Sequence, residues 1–411
     1  MFTTARRRLI DWVLRTITWD QARRVGLIGE PTTSGVVVTA ETALTSSPVF
    51  AAVRIISTAI GCLPLCVYRK LPDDDREKAT DLDQYELLHD TPNPESVPSI
   101  WWPAFVAQML LHGKGVAEIE RDGAGRPLAL WLLPADRTEL RRANGIPYFV
   151  VHTDRGPEEV PFDDVFHVPY FSLDGVTGKG VIQYAREAVG LNKAMETGAG
   201  AYFRNLMAPG GVIEVPAGTS ENARANIRKS IDAANAGVTK VNRLLMLEDG
   251  VKLNPYQVSN TDAQWIEGRV FGVQETARFF SISPTKLADL GRATWGNLES
   301  ENASFIENTL RPILTPIEQE ARKKLFTAAE RKTLFVEAVM EARLRGLTGE
   351  RYTSYSTGIT AGFLLPSEAR RLENLPQVPG IDERPRPGAA PPTPPPPPPP
   401  KGTDDGNPPP G

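Results

Sequence analysis

The sequence predicts an α+β fold with a mixed body, long helices and an extended C-terminal tail. Short strand-like blocks alternate with helical blocks between residues 47 and 168. Two longer segments, 180–207 and 305–326, repeat apolar residues at the 3.6-residue period of a helix. Periodicity stops at Pro376, and the seven consecutive prolines Pro394–Pro400 predict a stiff, extended run within an otherwise disordered tail.

The composition predicts a folded protein with a sizeable core. The chain has 411 residues, of which 41% are hydrophobic and 23% are charged, which suits two or three domains. The longest apolar run, Phe50 to Tyr68, is interrupted by Arg54 and Pro64, so we expect no membrane span. The N-terminal segment 1–39 has Arg6, Arg7 and Arg8 before apolar residues and is expected to be a basic amphipathic arm. Docking on a neighbour is the favoured role for it, and binding to a membrane surface or packing on the body of the same chain are the alternatives.

Cysteine and histidine usage argues against a metal or redox site. Cys62 and Cys66 are four residues apart around a proline, a spacing typical of neither a redox pair nor a zinc site, so both are expected to be buried apolar residues. The four histidines are not paired at ligand spacing. We therefore expect no metal and no cofactor, and the cysteine usage fits assembly in the cytosol.

The body of the fold is predicted from short periodic blocks. Two of them are helical, 47–60 and 99–111, and the second presents Trp101, Trp102 and Phe105. The segments expected to be strands are 63–68, 115–120, 129–133, 148–153, 165–168 and, much later in the chain, 333–336.

A long helix is predicted over residues 180–207, and it is crowded with small residues such as Gly190, Gly198 and Gly200. Glycines weaken an isolated helix but allow another helix to approach closely, which suits a tightly packed ring of subunits. After it come a strand at 211–215, a helix at 220–234, strands near 244–247 and 251–255, and a helix at 262–281.

The most informative stretch of the chain runs from Phe271 to Phe326. A helix ends at Ser283-Pro284, and a polar loop with two glycines precedes a second apolar stripe. That stripe contains Pro312 and Pro316, each of which lacks a backbone donor. Two alternatives remain open: one long kinked helix, or two short helices joined at Arg311-Pro312.

Several motifs occur in a collinear order, and together they resemble the portal proteins of tailed bacteriophages of the HK97 type. The resemblance extends from about Ser46 to Leu375. It rests on the segments SSPVFAAVRIISTAIGCLPLCVYRK, HDTPNPESVPSIWWPAFVAQMLLHGKGVAEIERDGAGRPLALWLLP, DDVFHVPYFSLDGVTGKGVI and AYFRNLMAPGGVIEVPAG, and on S-P-x-K-L followed by N-L-E-S-E-N-x-x-F.

The resemblance implies a domain organisation that periodicity alone does not give. A wing, a stem of two long helices, a small α/β clip, a tunnel loop with its kinked helix, a short helical crown and a disordered Pro-rich tail are expected. Their bounds would be arm 1–39, wing 40–178 completed by 327–345, stem 179–207 and 260–282, clip 208–259, tunnel loop 283–297, kinked helix 298–326, crown 346–375 and tail 376–411.

The resemblance also implies a function without chemistry of its own. The chain would form a ring, expected to be a dodecamer, through which double-stranded DNA is packaged and ejected. Its partners would be the large terminase, the major capsid and scaffold proteins and a head-tail adaptor, with no membrane involved. It would lie at the portal vertex of the virion after assembly in the host cytoplasm. The net charge of −4 suits a channel, because a strongly basic wall would grip the phosphates.

Three groups of residues are expected to act in this channel. The loop residues expected to face DNA are Lys286, Arg292, Thr294, Trp295 and Asn297. The clip residues expected to contact DNA or the motor, with a solvated helix face as an equal alternative, are Arg224, Arg228, Lys229, Lys240 and Arg243. The expected hinges are Pro284, Pro312 and Pro316.

Other classes of protein fit the sequence less well. The segment DGVTGKG, residues 174–180, has the wrong glycine spacing for a phosphate-binding loop and lacks the following Ser or Thr. The acidic cluster Asp73–Asp75 suits a solvated turn, and no nucleophile motif is present. A soluble hydrolase or nucleotide-dependent enzyme is one alternative, and a portal-like structural protein of a gene-transfer particle is another.

Overall fold

The structure is a computed structural model whose backbone divides into two units, Met1–Ala342 and Arg343–Gly411. It describes residues 31–72, 75–204, 211–214, 220–222, 224–226, 229, 252–255, 261–289, 298–340, 348–373, 375–376 and 378–383. Residues 1–30 of the predicted arm and most of the predicted tail therefore lie outside the described residues.

Helices and strands alternate along the first unit. Its helices are α1 Ala40–Leu44, α2 Ser47–Gly61, α3 Asp83–His89, α4 Pro98–His112, α5 Val181–Arg204, α6 Thr261–Phe279, α7 Leu298–Phe305, α8 Arg311–Leu325 and α9 Glu330–Thr333. Its strands are β1 Leu65–Lys70, β2 Arg76–Lys78, β3 Lys114–Arg121, β4 Pro127–Leu132, β5 Thr138–Ala143, β6 Ile146–Thr153, β7 Gly156–Pro161, β8 Val165–Pro169, β9 Phe171–Ser172, β10 Gly178–Lys179, β11 Gly211–Glu214, β12 Lys252–Pro255 and β13 Leu334–Ala338. The second unit has α10 Thr348–Ala361 and α11 Pro366–Leu372.

The core of the first unit forms where α2 and α4 pack together. Trp101, Trp102 and Phe105 on α4 are almost completely buried, as the sequence predicted for this helix. Each indole N–H donates to a backbone carbonyl, that of Trp101 to Leu130 (3.0 Å) and that of Trp102 to Leu88 (3.3 Å). Burying three large rings with satisfied donors stabilises the fold by several kcal/mol, on the order of 2–3 per side chain.

The first unit contains three antiparallel sheets of three strands each. Their strand orders are β13-β1-β2, β4-β3-β8 and β5-β6-β7, and the last sheet packs on a separate small cluster around Phe149. In the first of them Val67 pairs with Val336, so the strand predicted after the long helix returns to the beginning of the body. The first strand begins at Leu65 rather than at the predicted Leu63, because Pro64 has no N–H to donate to a ladder.

The two long helices α5 and α6 lie antiparallel and close together. A Cβ atom on Gly268 would collide with Met195, and a Cβ atom on Gly272 would meet the Asn192 side chain. These two glycines of α6 therefore permit the close approach. Two of the predicted strands of the clip are present as β11 and β12, which pair with Ile213 opposite Leu253. The strand expected near 244–247 lies outside the described residues.

The segment with Pro312 and Pro316 is helical without a break. Between α7 and α8 lies one π-helical turn, Ile306–Leu310, in which Arg311 N–H bonds to the Ile306 carbonyl. The turn comes directly before Pro312, where the ordinary ladder lacks a donor. Of the two alternatives, the structure has the single helix, and the size of its kink stays a prediction.

One detail of the sequence analysis needs correction. Cys66 is buried in β1 as expected, but Cys62 is exposed, because it is the residue at which α2 ends. In the second unit, α11 and α10 both lie within residues 346–375, where the resemblance implied a short helical crown. Periodicity alone gave no signal for α10. Its sequence is rich in Ser, Thr and Gly, which carry little helix preference.

Candidate functional site

The end of α6 is a tight turn that fixes where the following loop begins. Ser281 has a φ of 52°, a left-handed conformation that is unusual for a residue other than glycine. Ile282 N–H bonds to the Ala277 carbonyl (3.0 Å), which is the long bond of a Schellman motif. Ile282 is buried, so a hydrophobic contact accompanies the turn.

A second turn of the same kind follows within a few residues. Pro284 begins a short 3₁₀ helix, Pro284–Leu287, where its missing N–H costs nothing. The helix ends at Ala288, with a φ of 65°, and Asp289 N–H bonds back to the Pro284 carbonyl (3.1 Å). The backbone entering the predicted tunnel loop is therefore fixed by two successive left-handed stops.

Side chains connect this entry to the exit of the loop. Thr285 Oγ1 donates to Glu301 Oε2 (2.8 Å), and Ser283 Oγ lies 3.3 Å from the other carboxylate oxygen. The Lys286 ammonium group donates to Asn302 Oδ1 (2.8 Å) and lies 4.9 Å from the centre of the Phe305 ring. We call these six residues the loop clasp. It joins the S-P-x-K-L motif to the N-L-E-S-E-N-x-x-F motif.

The π turn is attached to the same place. The buried Thr309 hydroxyl in this turn donates to the carbonyl of Ser281, the residue that ends α6. The end of α6, the clasp and the π turn are therefore held together by hydrogen bonds.

The other end of α8 is capped by side chains from three different elements. Gln84 on α3 donates to the Leu325 carbonyl (3.4 Å), Arg121 on β3 donates to the Lys324 carbonyl (2.9 Å), and Arg331 on α9 donates to the Lys323 carbonyl. The last carbonyls of a helix have no partner within it, so these contacts both satisfy them and fix the helix to the body.

The Lys324 side chain is buried at this C-terminal end of α8. This side chain is only 3% exposed, its ammonium group donates to the Phe162 carbonyl, and it lies 4.0 Å from the Phe162 ring centre. Burial lowers the pKa of Lys324, with neighbouring carboxylates opposing the shift. Because α8 is fixed at both ends, it connects the loop clasp to the sheets of the body.

The structure describes only part of the predicted contact residues. Lys286 is half-buried in the loop clasp, so its ammonium group is engaged with Asn302 and Phe305. The remaining loop residues Arg292, Thr294, Trp295 and Asn297 lie outside the described residues. On the clip, Arg224 and Lys229 are exposed and helical, whereas Arg228, Lys240 and Arg243 lie outside the description. Among the predicted hinges, Pro284 opens the 3₁₀ helix, Pro312 follows the π turn and Pro316 lies inside α8.

One face of the long helices is partly uncovered by the described part of the chain. A Cβ atom on Gly190 would meet Thr32, whereas one on Gly198 or Gly200 would find no described atom within 4 Å. Leu191 on α5 and Phe271 on α6 are each more than half exposed. Gly198 follows Leu191 by seven residues and lies on the same side of α5, whereas Gly200 lies on the other side. We call Leu191, Gly198 and Phe271 the open stem face.

The phosphate-loop alternative can be tested on the glycines of residues 174–180. A Cβ atom on Gly178 would overlap the Gly113 carbonyl oxygen, and one on Gly180 would meet the Leu111 carbonyl. Close backbone packing thus accounts for both glycines. Within the described ranges, no group of three or more His, Cys, Asp or Glu side chains is placed to hold a metal. No described helix is both long and apolar enough to cross a bilayer.

Comparison with known proteins assigns the chain to a family. The model of the phage portal protein family matches residues 47–374. The chain belongs to the phage portal protein family. A probable portal protein of Streptomyces phage phiC31 is 32% identical over 378 residues, covering 87% of this chain and 81% of that protein. The portal protein of Enterobacteria phage HK97 is 26% identical over 383 residues, covering 91% and 90%.

A solved structure agrees with the fold of this portal. The neck of a native gene transfer agent particle, computed with C12 symmetry, contains a chain that matches with a TM-score of 0.58 and 22% identity. The match covers 82% of this chain and 92% of the other. The predicted α+β portal fold and the predicted family are both confirmed.

Sequence reasoning missed part of this portal's clasp. Glu301, Asn302 and Phe305 lie on one side of the loop exit at helical spacing, and that spacing was the signal that they act together. The caps of α8 left no such signal, because Gln84, Arg121 and Arg331 come from distant parts of the chain.

Proposed function

We propose that copies of this portal protein assemble into a twelvefold ring whose channel passes double-stranded DNA into the capsid and later out of it. The observation that carries the proposal is the open stem face, which the described part of its own chain leaves uncovered except for Arg278 beside the Phe271 ring. In a closed ring, the open stem face of each subunit lies against a neighbouring subunit. A head-to-tail interface that closes on itself leaves no such face exposed.

A small residue suits this interface. The backbone of α5 is free of a side chain at Gly198, so a neighbouring helix can approach closely there. Leu191 and Phe271 then supply apolar area that is lost from water on assembly. The helix preference sacrificed at this glycine is recovered through packing between subunits.

We further propose that the loop between residues 290 and 297 faces DNA. The loop clasp supports this role, because it fixes both ends of the loop. A channel needs weak and brief contacts, and Lys286 is already occupied in the clasp. In this proposal Lys286 positions the loop, and the DNA contacts belong to Arg292, Thr294, Trp295 and Asn297.

The single helix through α8 gives the loop a mechanical connection. Its N-terminal end joins the clasp through the π turn, and its C-terminal end is capped by Gln84, Arg121 and Arg331. A displacement of the loop would therefore be transmitted through α8 to the predicted wing. Pro284, Pro312 and Pro316 are the proposed hinges of this movement.

The partners of the ring follow from the same proposal. The exposed Arg224 and Lys229 would meet the large terminase during packaging and the head-tail adaptor afterwards, together with Arg228, Lys240 and Arg243. The wing would contact capsid and scaffold proteins at the portal vertex, after assembly in the host cytoplasm.

Packaging tests the role of the loop. Residues 290–297 are replaced by a Gly-Ser segment of equal length, and particles are assayed for DNA protected from nuclease. The expected result is assembled capsids with little protected DNA. The matched control replaces the wing hairpin residues 144–145, and it should package normally. Normal packaging by the loop variant would contradict the proposed contact with DNA.

A second candidate function is favoured by the likeness to the gene transfer agent neck. A portal of such a particle would package fragments of host DNA rather than one viral genome. Sequencing the protected DNA separates the two, since a single repeated genome indicates a phage and a spread of host fragments indicates a gene-transfer particle.

A further inference from the structure

The second unit of the chain contains an apolar groove that the portal function does not use. The groove lies between α10 and α11 and has a volume of about 330 Å³. Tyr352 and Tyr355 line one wall, with ring centres 6.5 Å apart and ring planes inclined by 49°. Tyr352 is about half exposed. Two inclined aromatic rings at the edge of an apolar groove form a notch that accepts a flat, rigid side chain.

The polar groups around the groove hold its shape. Glu373 accepts a hydrogen bond from the Tyr355 hydroxyl (3.0 Å) and forms an ion pair with Arg351 (2.9 Å). Both members of the ion pair are largely buried, with 21% and 11% of their side chains exposed. These two contacts fix the position of the Tyr355 ring, so the groove is formed before any ligand binds.

The chain that leaves this unit passes along the groove itself. Arg370 donates to the Pro376 carbonyl (2.8 Å), and the carboxylate of Asp382 accepts from the backbone N–H of Ser367 (2.8 Å). Ile381 lines the groove. The Pro-rich tail thus begins at the edge of the groove, a few residues before the part of the chain that the structure does not describe.

We propose that the proline run Pro394–Pro400 of the same chain binds in this groove. Proline-rich segments in the polyproline II conformation bind aromatic-lined grooves, and they lose little conformational entropy because they are already extended. Proline rings carry no charge, which matches the apolar lining and the internally paired Glu373. No other segment of the chain has this composition.

The segment that connects the groove to the proline run is long enough for the run to reach the groove. Ten residues, 384–393, join the described end of the chain to the proline run and can span up to about 33 Å. This length is enough to turn back to a groove whose own wall includes Ile381. Tethering at this distance gives an effective concentration in the millimolar range, so even weak binding would fill the groove.

Hydrogen–deuterium exchange on the full chain tests this proposal. In one variant, residues 394–400 are replaced by an alternating Gly-Ser sequence of equal length. The expected result is exchange several-fold faster in peptides from α10 and α11, with no change in α4. Adding a synthetic peptide of residues 393–401 in excess should restore the slow exchange. Tyr352→Ala should reproduce the fast exchange and should not respond to the peptide.

A matched control and two outcomes make the test decisive. Phe363→Ala removes another exposed aromatic ring of the same unit that does not line the groove, and it should exchange like the wild type. Equal exchange in the wild type and the Gly-Ser variant would overturn the proposal. Chains with a Gly-Ser tail can also be co-assembled with Tyr352→Ala chains. Slow exchange in the intact grooves of that mixture would mean that tails cross between chains, which overturns binding within one chain.

Discussion

The wing core and the stem helices differ in how much of their packing one chain completes. Around Trp101, Trp102 and Phe105 every large ring is buried and every indole N–H is satisfied. Along α5 the first turns are packed, whereas a Cβ atom on Gly198 or Gly200 would have no atom of the described residues within 4 Å. The difference fits the proposed ring, in which the core around α4 closes within one chain and the long helices would complete their packing against neighbouring subunits.

The largest expected effect is in the wing. Phe105→Ala removes a fully buried ring and should lower the free energy of unfolding by about 3–5 kcal/mol, since a cavity remains. Chemical denaturation measures the change. The control is Phe50→Ala on α2, where the ring is about half exposed, and it should cost about 1 kcal/mol or less. Equal losses in the two variants would mean that the wing core is not closed within one chain.

Within the described residues, Gly272 is packed against its own chain and Gly198 is not, so substitutions at these two positions form a matched pair. Gly272→Leu forces a side chain against Asn192 of the same chain, so the isolated subunit should lose about 1–3 kcal/mol of stability. Gly198→Leu meets open space and gains about 1 kcal/mol of helix preference, so the isolated subunit should be at least as stable as the wild type. Thermal unfolding of subunits under dissociating conditions measures both. If Gly198→Leu destabilised the isolated subunit, the open stem face would not be open.

Acid should weaken the wing through His167. This histidine is buried, and burial together with the nearby Lys114 and Lys324 lowers its pKa from 6.5 to about 3. Between these values the unfolded chain binds the proton and the folded chain does not. The free energy of unfolding should therefore fall as the pH drops from about 6.5, by up to about 1.4 kcal/mol per pH unit.

The pH dependence of chemical denaturation identifies the group responsible. His167→Gln should flatten the slope between pH 6.5 and 4, with part of it remaining because burial also lowers the pKa of His112. An unaltered slope in His167→Gln would rule out this histidine as the cause.

The loop clasp should show a smaller, local effect. Glu301→Ala removes the acceptor of Thr285 and Ser283, which should cost about 1 kcal/mol of local stability. Hydrogen–deuterium exchange over residues 283–289 should become faster, while α4 stays unchanged. The control Glu307→Ala changes an exposed carboxylate on the neighbouring π turn. Similar exchange in both variants would mean that the clasp does not hold the loop entry.

The long helices and the strands β1, β3 and β4 were predictable because their signals are local. Apolar residues at helical spacing predicted α4, α5 and α6, and Pro284 marked the turn after α6. The observed bounds differ from the predicted ones by a few residues where a proline interrupts the hydrogen bonds between strands, as at Pro64. The helix α10 could be expected only from the resemblance, which implied a helical crown over 346–375, because its many Ser, Thr and Gly residues give no apolar stripe.

The candidate site was predictable only in part. The loop between two helices could be found from Pro284 and the glycines, but the partner of Lys286 could not. Its contact with Asn302 joins residues on opposite sides of the loop, and it is fixed by tertiary structure rather than by spacing. The caps of α8 are still more remote, since Gln84 meets the Leu325 carbonyl across most of the chain.

The most direct test of the account is the native mass of the purified protein by light scattering, with negative-stain images of the same peak. The wild type should form a ring of about twelve subunits with a central hole, and Gly198→Leu should remain folded but fail to form that ring. A stable monomer or dimer of the wild type, or unchanged rings of Gly198→Leu, would contradict the claim that the stem is completed by neighbouring subunits.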